Sequence, residues 1–212
     1  GVIFCHNIPS GETFDSLRIK YPIVMCSQYN KDEDIPYVVV DDYNSAKNAV
    51  NYLLSVGKKR IAFINSSKNY SYSPLREKGF RDALKASGNP VNDNWIIHLT
   101  DIDFNVAFSV ATTLLSSCNK PDAIFCASDV YACAALKAAH TLHLSIPEDV
   151  AVMGFDNVNL TTMTVPTIST VSQPTYQLGY QSCNLLVDQI EGNPVPNQKI
   201  VLATEIVVRS ST

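Results

Sequence analysis

With 212 residues, 46% hydrophobic and 17% charged, the chain has material for one large core or two small ones and lacks the composition of a disordered segment. A net charge of −4 and a pI near 5.5 give no basic footprint for nucleic acid or an anionic membrane. No apolar run approaches the roughly 20 residues of a spanning helix, and no signal-peptide pattern opens the chain.

Gly1–Cys5 reads as a short strand, His6–Thr13 as a loop and Phe14–Lys20 as one or two helical turns. Pro22–Cys26 and Tyr37–Asp41 are apolar runs of strand length, separated by the polar stretch Tyr29–Pro36. Asp42–Val56 places Ala46, Ala49, Val50, Leu53 and Leu54 on one face of a helix, and Gly57 supplies its stop. Arg60–Asn65, Trp95–Thr100, Pro121–Ala127 and Val150–Gly154 read as strands, alternating with helices over Pro74–Ser87, Phe104–Ser117 and Ser128–Leu142. Ile168–Val171 is a further short strand, Pro174–Glu191 a long helix, and Lys199–Val208 a strand-like close broken near Ala203–Thr204. This alternation predicts an α/β fold of doubly wound, mostly parallel sheets with right-handed crossovers.

Strands without matching helices lie before Asp42, and a helix and strands without partners follow Pro174. Two lobes resolve this. Residues 1–42 and 172–202 form a partial N-terminal lobe, which implies upstream βα units, and residues 43–171 and 203–212 form a C-terminal lobe. The six cysteines form no C-x-x-C pair and stand at no zinc-site spacing from histidine, which points to reduced thiols and a cytoplasmic protein. His140 and His143 fall i, i+3 on a predicted helix without a carboxylate at metal spacing, so they read as a solvated face. No G-x-S-x-G elbow, G-x-G-x-x-G or Walker pattern occurs. The residues therefore offer no nucleophile–base set for an enzyme and no cofactor loop.

Several stretches, in order, resemble one family. They are VDDYNSAKNAVNYLLSV followed by GKKRIAFI (Val40–Ile64), LREKGFRDAL (Leu75–Leu84), AIFCASDVY (Ala123–Tyr131), LSIPEDVAVMGFDNV (Leu144–Val158), TVSQPTYQLG (Thr170–Gly179) and VRSST (Val208–Thr212). Together they are similar to the lactose/galactose repressor family of bacterial transcription regulators. The resemblance implies a periplasmic-binding-protein-like effector domain of two lobes and a homodimer that acts in the cytoplasm without a cofactor. It also implies that operator DNA is bound only through a headpiece absent from this chain. The effector, a sugar, nucleoside or purine, is expected in the cleft between lobes. The competing classes are a solute receptor of a transport system and a sugar-modifying α/β enzyme.

Carried over residue by residue, the resemblance marks Arg76 as a guanidinium able to hold a hydroxyl pair, a carboxylate or a base edge. It marks Asp156, at the carboxyl end of the Val150–Gly154 strand, as an acceptor for ligand O–H or N–H groups. Phe104 is either a stacking ring or a core residue. Ser128 either touches the ligand or caps the helix after it, and Asp129 either orients Arg76 or favours that helix start. Gln173 is either a ligand contact or a hinge residue. Ser27 and Gln28 are candidates from the front lobe.

Overall fold

The computed structural model describes residues 1–5, 12–30, 34–194 and 198–212, so most of the loop expected over His6–Thr13 lies outside the described residues. They fall into two compact units, Gly1–Asp41 with Pro174–Ala203, and Asp42–Gln173 with Thr204–Thr212.

The first unit holds a four-stranded parallel sheet in the order β1-β2-β3-β9, built from β1 (Val2–Phe4), β2 (Ile23–Cys26), β3 (Tyr37–Val40) and β9 (Lys199–Leu202). The two-residue period of a strand sends Val24, Cys26, Val38 and Val40 to one face, where α6 (Thr175–Glu191) covers them with Leu178 and Leu185. Ile23 and Met25 face the other side and pack with Phe14 of α1 (Glu12–Lys20). Burial on both faces is why these strands read as continuous apolar runs rather than alternating ones.

The second unit has six strands in the order β10-β8-β7-β6-β4-β5. They are β4 (Ile61–Ser66), β5 (Ile96–Leu99), β6 (Ala123–Cys126), β7 (Ala151–Asp156), β8 (Ser169–Ser172) and β10 (Glu205–Val207). All neighbours are parallel except β10, which runs antiparallel to β8. The same period places Phe63, Phe125, Met153 and Phe155 beneath α2 (Asp42–Ser55) and α3 (Tyr72–Ala86). Ile64, Ile124, Cys126 and Val152 lie beneath α4 (Phe104–Ser116) and α5 (Asp129–Thr141). Phe63 stacks on both Phe80 and Phe125, with centroids 5.1 and 4.9 Å apart.

Three local expectations change. α3 begins at Tyr72, two residues before Pro74. First-turn amides have no helical acceptor, so proline fits inside that turn as well as at its first residue. Trp95 ends a short 3-10 turn capped by Asn92 rather than opening a strand. His143 lies beyond the end of α5 with φ 56°, so it shares no helix face with His140.

Candidate functional site

In the second unit the chain passes from β4 outward to β5, then returns to β6 on the other flank of β4. The crevice at the carboxyl ends of β4 and β6 is thus the topological switch point, where open α/β sheets take their ligands. One side chain spans it. Arg76, on the second turn of α3, donates from Nη1 to the Ala127 carbonyl just past β6 at 2.9 Å. Its Nε donates to Asp42 Oδ1 at 2.7 Å, and both side chains are buried, at 4% and 5% exposure. The guanidinium is sandwiched between Phe155, 3.4 Å from the ring centroid, and Tyr72, at 4.3 Å. Tyr72 in turn stacks on Tyr70 at 5.4 Å.

Asp156 ends β7 with φ 112°, and Asn157 follows with φ 60°. Two consecutive non-glycine residues in the left-handed half of φ space are strained, and such strain persists only where the surroundings over-determine it. Asp156 Oδ1 accepts a hydrogen bond from Gln173 Nε2 at 2.6 Å. Burial pushes its pKa up, and the charge of Arg76 and the Gln173 bond pull partly the other way. A carboxylate desolvated in this way gains from each further donor brought to it, and it has acceptor capacity beyond one amide.

Asp129 stands under the turn. Its carboxylate accepts from the Thr170 hydroxyl at 2.6 Å and from the Val158 amide at 2.8 Å. A Cβ at position 154 would overlap Asp129 Oδ1, which is why glycine stands there on β7. Burial raises the Asp129 pKa to about 6 against these bonds. In the folded chain this carboxyl therefore holds its proton more tightly than in the unfolded chain, where it titrates near 3.8. Its contribution to stability is largest below pH 4, falls as pH rises to 6, and is constant above. The difference is about 3 kcal/mol. Urea unfolding at pH 4 to 7 is expected to show that loss in wild type and not in Asp129→Asn. Parallel curves for the two proteins would contradict the assignment.

Arg76, Asp156 and Gln173 thus meet at one edge of the second unit, with Asp129 beneath. The carboxylate that orients Arg76 is Asp42 and not Asp129, because Asp129 is committed to Thr170 and the turn. Ser128 caps α5, accepting from the Val130 amide at 3.2 Å. Phe104 opens α4 and packs on the core beside Lys137, whose ammonium lies 5.4 Å from its ring centroid. Its described contacts are there and not with Arg76 or Asp156. Ser27 and Gln28 follow β2 in the first unit. Ser27 has φ 65° and donates its amide to the Val38 carbonyl at 2.8 Å, and Gln28 is buried. Asp42, Tyr72 and Phe155 do not stand out in the sequence. The acidic pair Asp41–Asp42 at a helix start was the one available signal for Asp42. Nothing local pointed to the two rings.

The family model of the periplasmic binding protein-like domain matches residues 50–212. The HTH-type transcriptional repressor CytR of Escherichia coli strain K12 is 33% identical over 97% of this chain. The chain spans 60% of that repressor's length. Among solved structures, a regulatory protein of the LacI family from Chloroflexus aggregans superposes with a TM-score of 0.85 at 28% identity, covering 92% of this chain and 69% of that one. The transcriptional regulator CelR in complex with cellobiose does so with a TM-score of 0.84 at 30% identity, covering 90% and 59%.

Proposed function

The chain belongs to the periplasmic-binding-protein-like domain family, and on that premise we propose that it is the effector-sensing part of a bacterial transcription regulator. The observation that carries this reading is the gathering of Arg76, Asp156 and Gln173, with the Tyr72 ring, at the switch point of the second unit. The guanidinium charge is already balanced by Asp42, and Asp156 adds a further carboxylate. This electrostatic balance suits a neutral ligand rich in donors, such as a sugar, nucleoside or purine, better than an anion. The likeness to a cellobiose-bound regulator supports the sugar class. Arg76, Asp156 and Gln173 are the primary contacts in this proposal. Ser128 and Phe104 are secondary ones, and Asp129 is the support beneath the turn.

In the longer protein we take the effector to change operator affinity by favouring one conformational state of a homodimer, by no more than its differential affinity for the two states. The relatives are regulators, and this favours the sensor over a transport receptor or an enzyme. A thermal-shift panel of D-ribose, cellobiose, adenosine and hypoxanthine tests the reading. A true effector at 100 times its dissociation constant adds about 2.7 kcal/mol of stability, a shift of several degrees. Chemical conversion of a panel member during incubation, or no stabilisation by any of the four, would contradict it.

A further inference from the structure

The strained turn at Asp156–Asn157 is tied to the end of the chain. Arg209, two residues past β10, donates from Nη2 to Asn157 Oδ1 at 2.8 Å. Its Nη1 donates to the Ile168 carbonyl at 2.7 Å and to Thr161 Oγ1 at 3.2 Å. One planar fork thereby joins the turn, the 3-10 turn that follows it (Asn159–Thr162) and the entry to β8. Asn157 is held from the other side as well, since its Nδ2 donates to Ser172 Oγ at 3.1 Å. Ser172 immediately precedes Gln173, the donor to Asp156.

The base of the fork is fixed independently of the turn. The Arg209 amide donates to Ser169 Oγ at 2.8 Å. Ser211 accepts from the Ser169 amide at 2.8 Å and donates to the Val152 carbonyl at 2.6 Å, both at buried positions. The tail is therefore anchored in the sheet between β7 and β8, and Arg209 reaches from that anchor to the turn. Asn157 at φ 60° can relax to a more common conformation unless its side chain is held, and a relaxed Asn157 swings the adjoining Asp156.

We propose that Arg209 is a positioning residue for the effector site: its guanidinium clamps Asn157 and so fixes the strained backbone that presents Asp156. This rests on the proposed function for the role of Asp156, but the clamp has its own readout. It requires the geometry of a guanidinium, because a lysine ammonium is a point donor that cannot span the three acceptors.

Hydrogen exchange of the chain as it stands tests it, with Arg209→Lys and Ser211→Ala compared with wild type and D-ribose, cellobiose and adenosine as binding probes. Ser211→Ala loosens the tail anchor without touching Asn157. In Arg209→Lys, exchange of the Asn157 and Val158 amides is expected to speed by about tenfold or more while β4 and β6 keep their protection, and any probe that binds wild type is expected to bind about tenfold more weakly. Ser211→Ala is expected to lower overall stability without either selective change. Unchanged exchange at Asn157 and Val158 in Arg209→Lys overturns the clamp, and so does an equal loss of binding and protection in both variants. If no probe binds wild type, that counts against the proposed function, and the exchange comparison alone decides the clamp.

Discussion

Replacing Arg76 by alanine is expected to destabilise the second unit by about 3–5 kcal/mol, because it strands Asp42 as a buried carboxylate without its cation. The Ala127 carbonyl loses its donor in the same step, and Phe155 and Tyr72 lose the plane that separates them. Arg76→Lys keeps the charge and forfeits the fork and the stacking, so it should fall between wild type and alanine. Urea unfolding of the three proteins checks the order. A loss below about 1 kcal/mol in the alanine variant would mean that the pair contributes as little as an exposed one. Binding and stability therefore cannot be separated at this residue by the alanine substitution.

Gly79→Ala is expected to cost about 3 kcal/mol, from overpacking at the contact of α2 and α3. A Cβ there would overlap the Tyr43 carbonyl and crowd the Lys47 amide, and both are backbone atoms of α2 that cannot rotate away. The two helices would have to separate over the Phe63–Phe80 stack. Gly179, in the interior of α6, is the contrast, since a Cβ there meets nothing within 4 Å. Gly179→Ala should stabilise the first unit by about 0.5–1 kcal/mol through helix propensity and a less flexible unfolded chain. Opposite signs for two glycine-to-alanine changes in helices, read as shifts in unfolding midpoint, are the outcome to look for. Similar losses at both would mean that backbone proximity at Gly79 is not the cause.

Much of the fold was legible because its signals are local. Strands buried on both faces show as short apolar runs such as Ile61–Ile64 and Ile23–Met25, and Gly57, Gly88 and Gly192 each sit at positive φ just past a helix. The break at Ala203–Thr204 was visible, and the expected lobes divide there. β9 joins the first sheet and β10 the second, a choice made by partners far away in sequence. The site divided in the same way. Arg76 and Asp156 stood out through the resemblance; Arg76 reaches across the switch point, and Asp156 ends β7, the strand beside β6. The Asp42 carboxylate that holds Arg76 is 34 residues away, and the Arg209 fork is 52 residues from Asn157. No periodicity within one element reports such a pair. Of the two roles open to Asp129 in the sequence, orienting Arg76 or favouring the helix start, the first is closed by bonds from Thr170 and Val158 that take its carboxylate.

In the proposed function Asp156 is the acceptor that an effector satisfies, on a turn that an asparagine can also occupy. The most direct measurement is isothermal titration of wild type and Asp156→Asn with whichever of D-ribose, cellobiose, adenosine or hypoxanthine stabilises wild type most. Loss of a hydrogen bond to a charged acceptor is worth about 1.5–3 kcal/mol, so the variant should bind about 10- to 100-fold more weakly with its unfolding midpoint little changed. Equal dissociation constants for the two proteins would contradict it.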